Sequence, residues 1–142
     1  MTNAKVELFD VALKGCASDG LRISDCTSET TLVATRCDFA NSGFGAVVDG
    51  SLTSATFNNC VFNDNEYDGI SGASGSAIHL HGEATAIHSN VNDGIAAHES
   101  SEVIIHLPSN HNTIYNNGRE DRRTDGAHDI SYSPGTITNI ED

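Results

Sequence analysis

Four side chains suited to chemistry lie within short apolar alternations of the chain: Asp49, His79, His81 and His98. Neutral imidazoles and a carboxylate are suitable ligands for a divalent transition metal. A histidine that titrates near neutral pH can also move a proton, and an aspartate can orient it. The residue types therefore leave two chemistries open, metal binding and acid–base catalysis.

These residues lie in a degenerate repeat, which determines how they are placed. Its units open on a Gly or Ala and a short apolar alternation: Gly20-Leu-Arg-Ile-Ser24, Gly45-Ala-Val-Val-Asp49, Ala77-Ile-His-Leu-His81, Gly94-Ile-Ala-Ala-His98 and Gly126-Ala-His-Asp-Ile-Ser131. Self-similarity at this period indicates a solenoid. Period-two alternation predicts strands, and helical spacing is nearly absent. Asn and Gly end each unit, as expected for sharp corners with left-handed backbone.

Stacking these units predicts a candidate site. Successive side chains of a strand face opposite sides, and neighbouring strands lie about 4.8 Å apart. With the apolar positions turned inward, Asp49, His81 and His98 would form a contiguous outward ladder, which we assign as the catalytic candidates. Arg22, His79 and Asp129 would lie in the neighbouring column as substrate-binding candidates. The same side chains could also simply cover a solvated sheet face.

A second candidate is an acidic segment with oxygen ligands at alternate positions. Asp64, Glu66 and Asp68 precede Gly69, as at the start of an EF-hand-type calcium loop. The position of the bidentate glutamate in that pattern is occupied by Gly75. The segment predicts either a weak Ca²⁺ site or an ordinary acidic loop.

Composition excludes some classes of partner. The 142 residues carry 20 acidic and 7 basic side chains, a formal net charge of −13, and 37% are hydrophobic with no Trp. This balance argues against nucleic-acid binding, which needs clustered Lys and Arg. No apolar run is long enough for a membrane-spanning helix, so no membrane partner is expected.

The four cysteines are interpreted as free thiols. Cys16, Cys37 and Cys60 recur at intervals of about one coil, so they would stack as small buried hydrophobes. Reduced cysteines, and an N-terminus without the apolar core of a signal peptide, favour an intracellular origin.

The stretches Gly45-Ala-Val-Val-Asp-Gly50 and Ala55-Thr-Phe-Asn-Asn-Cys-Val-Phe-Asn-Asp-Asn65 resemble the right-handed parallel β-helix, or pectin-lyase-like, superfamily. The resemblance extends from about Val6 to Ile140. It implies an all-β, right-handed parallel β-helix of about six coils. Residues 1–142 would form a single β-helix domain, either complete in itself or part of a longer chain or assembly.

The resemblance implies a polysaccharide partner, recognised as an extended chain along the outward sheet face. Two alternatives stay open. One is a polysaccharide lyase or epimerase that uses the His/Asp ladder. The other is a structural module of a viral fibre or surface array that self-associates through the solenoid ends. The chain lacks the paired aspartates of polygalacturonases and the Tyr-Gly-Phe-Asp-Pro-His motif of alginate epimerases, which weakens the enzyme hypothesis. Expected cofactors are none, Ca²⁺, or a divalent transition metal.

Overall fold

The computed structural model describes residues 3–24, 26–106, 113–124 and 133–140. Within these ranges every regular element is a strand, and no helix is long and apolar enough to cross a membrane. The strands, in chain order, are β1 Ala4–Phe9, β2 Ala12–Lys14, β3 Asp19–Ile23, β4 Thr30–Thr35, β5 Asp38–Ala40, β6 Phe44–Asp49, β7 Thr53–Asn58, β8 Val61–Asn63, β9 Ile70–Ala73, β10 Ala77–His81, β11 Ala86–His88, β12 Ile95–Ala97, β13 Glu102–His106, β14 Ile114–Tyr115, β15 Arg122–Arg123 and β16 Thr136–Ile140.

The strands form three parallel sheets that the chain visits in turn. Sheet A has the order β1-β4-β7-β10-β13-β16, sheet B has β14-β11-β8-β5-β2, and sheet C has β15-β12-β9-β6-β3. Because consecutive strands belong to different sheets and every third strand pairs in parallel, the chain winds as a solenoid. The all-β solenoid predicted from the sequence is confirmed, with about five turns instead of six.

Residues with left-handed backbone make the corners. Between sheets A and B these are Asp10, Arg36 and Asn59, with φ between 52° and 54°, and between sheets B and C they are Asn41, Asp64, Ser89 and Asn116, with φ between 52° and 59°. Asn and Asp tolerate this conformation better than other residues with side chains. The predicted use of Asn at the corners agrees with these angles. Arg36 and Ser89 are exceptions, and the side chain of Arg36 forms a bidentate ion pair with Asp10 of the previous turn.

Inward-facing side chains of the three sheets build one continuous core. Phe39 of sheet B stacks on Phe62 at a centroid distance of 4.8 Å, and the ring of Phe57 from sheet A meets both edge-on. The residues predicted to face inward on the central turns are fully buried: Ala46, Val48, Ile78, Leu80, Ile95 and Ala97. The thin solenoid thus buries the apolar side chains of its central turns without needing a large hydrophobic fraction.

An asparagine ladder fills the corner that enters sheet C. The Nδ2 of Asn65 donates to Oδ1 of Asn90 at 2.9 Å, and the Nδ2 of Asn90 donates to Oδ1 of Asn117 at 2.9 Å. Each amide also donates to a backbone carbonyl of the previous turn, as Asn90 does to Phe62 O at 3.2 Å. Buried polar groups stay favourable only when paired in this way. The ladder therefore fixes the backbone at this corner.

The register of the third turn differs from the prediction. The strand that aligns with β6 and β12 in sheet C is β9, in which Ile70 pairs with Ala46 and Ile95. The stretch Ala77–His81, which the sequence analysis aligned with those strands, is β10 and pairs with β7 and β13 in sheet A. Ile70–Ala73, which that alignment left between two repeat units, is therefore itself a strand of the repeat.

The cysteine column is shorter than predicted. Cys37 and Cys60 are buried at equivalent corners, and the Cys60 thiol donates to Ala34 O at 3.4 Å. Cys16 instead lies above the asparagine ladder, where its backbone N–H donates to Ser42 Oγ at 3.2 Å. All four cysteines are free thiols. Burial raises the pKa of Cys60 to about 11, so this thiol is inert at neutral pH.

Candidate functional site

Three histidines converge on the outer face of sheet A. His79 and His81 are alternate residues of β10, and His106 ends β13 as the register partner of His81. The rings of His81 and His106 stack at a centroid distance of 4.2 Å, and Nδ1 of His79 lies 3.0 Å from Nε2 of His106. One potential ligand nitrogen from each ring lies within 4.8 Å of the other two. We call these three residues the histidine cluster.

The strands position the cluster because period-two alternation turns their other residues inward. Leu80 and Ile105, the neighbours of the cluster along β10 and β13, are in the core. The histidines are therefore held on the opposite face and are only partly buried. Burial lowers the pKa of His79, and the neighbouring His106 lowers it further, whereas Glu102 acts in the opposite direction. His79 is accordingly neutral at pH 7.

A shallow groove lies along the start of the same sheet face. Its volume is about 310 Å³. Its lining contains mostly hydroxyl and small side chains, with one carboxylate and one exposed leucine: Glu29, Thr31, Ser51, Leu52, Thr53, Ser54, Gly75 and Ala77. Ser54 Oγ donates to Thr31 Oγ1 at 3.3 Å, across the β4–β7 pair. The groove and the histidine cluster share strand β10.

One column of outward side chains runs through the cluster along the length of sheet A. The strand registers align one outward column as Phe9, Thr35, Asn58, His81 and His106. Phe9 is 56% exposed at the end of this column. Sheet A thus presents hydroxyl, amide, imidazole and aromatic groups along one outer face about 24 Å long from first to last strand.

The predicted ladder of Asp49, His81 and His98 is not formed. Asp49 ends β6 and pairs with Ala73, so it belongs to sheet C. His98 follows β12 in the same sheet and forms a bridge with Pro134. His81 lies in sheet A, on a different face of the solenoid. The alignment that joined these side chains was wrong, and their catalytic assignment stays a prediction.

The substrate-binding candidates are also separated. His79 is in the histidine cluster, whereas Arg22 lies in β3 of sheet C and forms an ion pair with Asp19 at 2.5 Å. Asp129 lies outside the described residues.

The acidic segment does not gather its three carboxylates. Asp64 accepts a hydrogen bond from Asn63 Nδ2 at 2.5 Å, and Glu66 is exposed. Asp68 is buried, and its Oδ1 accepts the backbone N–H of Asp93 at 3.0 Å. In the part of the chain that the structure describes, the histidine cluster is the one group of three potential ligands that converges.

His106 was not among the candidate residues predicted from the sequence. A signal was present, since His106 ends an alternation of the same kind as Ala77-Ile-His-Leu-His81. Aligning those two segments as neighbouring strands would have predicted the contact of His81 with His106.

Comparison with known proteins identifies the family. The chain matches the family described as the right handed beta helix region over residues 1–141, and it belongs to that family. The predicted right-handed parallel β-helix is thereby confirmed. No curated protein and no solved structure gives a match. The family description names a fold and no substrate.

Proposed function

We propose that this β-helix binds an extended polysaccharide along the outer face of sheet A. The observation that carries the proposal is the groove across β4, β7 and β10, whose lining is rich in hydroxyl groups. Sugar hydroxyls exchange hydrogen bonds with such groups, and the exposed Leu52 offers an apolar contact for a sugar ring. Parallel strands repeat about every 4.8 Å, which suits a polymer with a regular repeat.

The charge of the chain favours a neutral polymer over an anionic one. The net charge is −13, and Glu29 adds a carboxylate to the groove. Among the described cations, Lys14 and Arg36 already lie within 3.7 Å of a carboxylate. A uronate polymer would therefore be repelled at low ionic strength, whereas a neutral glycan would not.

The proposal is tested by measuring binding of neutral and uronate polysaccharides to the full chain and to a Thr31→Ala/Ser54→Ala double variant. The two hydroxyls are hydrogen-bonded to each other, so removing both leaves no unpaired hydroxyl behind, and the fold should persist. We expect the double variant to bind a neutral polymer about tenfold more weakly, the loss of one to two hydrogen bonds.

Thr138→Ala is the matched control, because Thr138 is exposed on the same sheet in β16 but does not line the groove. Its affinity should equal that of the unmodified chain. The proposal fails if no polysaccharide binds, or if the double variant and the control bind alike.

A lyase or epimerase activity is the second candidate, and the pKa of His79 favours it. A histidine that burial keeps neutral at pH 7 can accept a proton from a bound sugar. Ultraviolet absorbance of the same polysaccharide mixtures reports unsaturated products. Their formation by the unmodified chain and not by a His79→Ala variant would support this candidate, and their absence with every polymer would exclude a lyase.

A further inference from the structure

We propose that His79, His81 and His106 bind one divalent transition-metal ion on the outer face of sheet A. One nitrogen from each ring lies within 4.8 Å of the others. The inference goes beyond polysaccharide binding and does not depend on it, because the metal can be tested alone.

The backbone enforces the convergence. His81 and His106 are register partners in a parallel pair, and their rings stack with an interplanar angle of 10°. His79 lies on the same face of β10, with its ring 5.3 Å from that of His106. Zinc binds imidazole nitrogen at about 2.0–2.1 Å, which places the nitrogens of a tetrahedral site about 3.3 Å apart. The 3.0 Å between His79 Nδ1 and His106 Nε2 is close to that value, and the stacked rings of His81 and His106 must turn out of their parallel arrangement for both to bind the same ion.

The ligand set determines the class of metal. Three imidazoles suit Zn²⁺, Cu²⁺, Ni²⁺ and Co²⁺, whereas Ca²⁺ and Mg²⁺ prefer oxygen ligands. Three protein ligands leave a fourth position for water or another small ligand. The acidic chain attracts cations, and Glu102 adds a carboxylate to β13, the strand of His106. The competing explanation is a set of hydrogen-bonded and stacked histidines that holds no ion.

The test titrates the full chain, prepared without a histidine tag, with Zn²⁺ and Co²⁺ by calorimetry and visible absorption. We expect one ion per chain and the absorption bands of Co²⁺ with nitrogen ligands. Separate His79→Ala and His106→Ala variants should each weaken binding about tenfold or more. At a given concentration, Zn²⁺ should raise the unfolding temperature of the unmodified chain by more than that of these variants.

His88→Ala is the matched control, because His88 stacks on Tyr115 in sheet B and is outside the cluster. Its affinity should be unchanged, and urea unfolding without metal should confirm that all three variants fold. The inference is overturned if Zn²⁺ does not bind with one-to-one stoichiometry. Equal binding by the unmodified chain and both cluster variants, or Ca²⁺ binding as tight as Zn²⁺ binding, would also overturn it.

Discussion

Asp68 is a carboxyl group that folding removes from water. It is 8% exposed, and burial raises its pKa to about 6. The charge of Asp93 raises the pKa as well, whereas the Asp93 N–H and the nearby His98 and Arg123 lower it. Ionised Asp68 is thus less favourable in the folded state than in the unfolded chain.

The raised pKa of Asp68 predicts that stability falls as pH increases from about 4 to about 6. In this window the unfolded chain releases the proton of Asp68 while the folded chain retains it. The free energy of unfolding therefore decreases. The free energy of unfolding decreases by roughly 2–3 kcal/mol. The decrease is complete once the pH exceeds the pKa of Asp68 in the folded state. Asp68→Asn should remove this component, as measured by urea unfolding at pH 4, 5, 6 and 7.

Asp64→Asn is the control for that experiment. It makes the same change in formal charge at an exposed corner residue. We expect its pH profile to follow that of the unmodified chain. A profile of Asp68→Asn that matches the control would contradict the role of Asp68.

At the scale of elements, the asparagine ladder should be the most sensitive corner. Asn90 is 1% exposed; its Nδ2 donates two hydrogen bonds, and its Oδ1 accepts from both the backbone and the side chain of Asn65. Asn90→Ala leaves these partners buried and unpaired. It should lower the free energy of unfolding by about 2–4 kcal/mol.

Asn63→Ala is the corresponding control at the same corner. Its amide donates to Asp64 Oδ2 at 2.5 Å and lies near the surface. Chemical denaturation should show a change below about 0.5 kcal/mol. Equal losses for the two variants would mean that the ladder adds nothing beyond a surface hydrogen bond.

Strand β9 shows how far the sequence predicts this structure. Its neighbours in sheet C were recognised from their alternation, and their apolar residues are buried as predicted. In β9 the inward position next to Val48 is Gly72, because a Cβ there would lie 3.1 Å from Ile78 Cδ1 and 3.2 Å from Ser101 Oγ. The side chains of Ile78 and Ser101 fill the space that an apolar side chain at position 72 would need. The sequence of β9 therefore lacks the alternation that marks its neighbours. Alternation reports which face of a strand is inward, but not which of three sheets the strand joins.

At the scale of the whole molecule, charge repulsion opposes folding. Twenty acidic side chains accompany seven basic ones. Lys5, Lys14, Arg22, Arg36 and Arg123 each lie within 3.7 Å of a carboxylate. Seven cations cannot offset most of the negative charge of twenty acidic side chains. Self-association through the solenoid ends stays a prediction, and the same repulsion would oppose it.

Salt should stabilise the protein. Raising NaCl from about 0.02 M to about 0.5 M shortens the screening length from roughly 20 Å to roughly 4 Å. We expect a gain of about 1 kcal/mol in the free energy of unfolding, measured by urea titration. A Glu66→Gln/Glu83→Gln variant should gain less, and Thr138→Ala should gain as much as the unmodified chain. A decrease in stability with salt would show that the ion pairs outweigh the repulsion.

The side-chain amide of each ladder asparagine is hydrogen-bonded to that of the next turn. The start of sheet C is therefore held in the same position from one of these turns to the next. A turn can then gain or lose residues at another corner while the strands of the following turns keep their register. Residues 50–53 join Asp49 to Ser54 and are one more than residues 74–76, which join their register partners Ala73 and Ala77, yet β7 and β10 remain aligned. The asparagine ladder thus allows the loops beside the groove to diverge in sequence and size while the outer face of sheet A keeps its geometry.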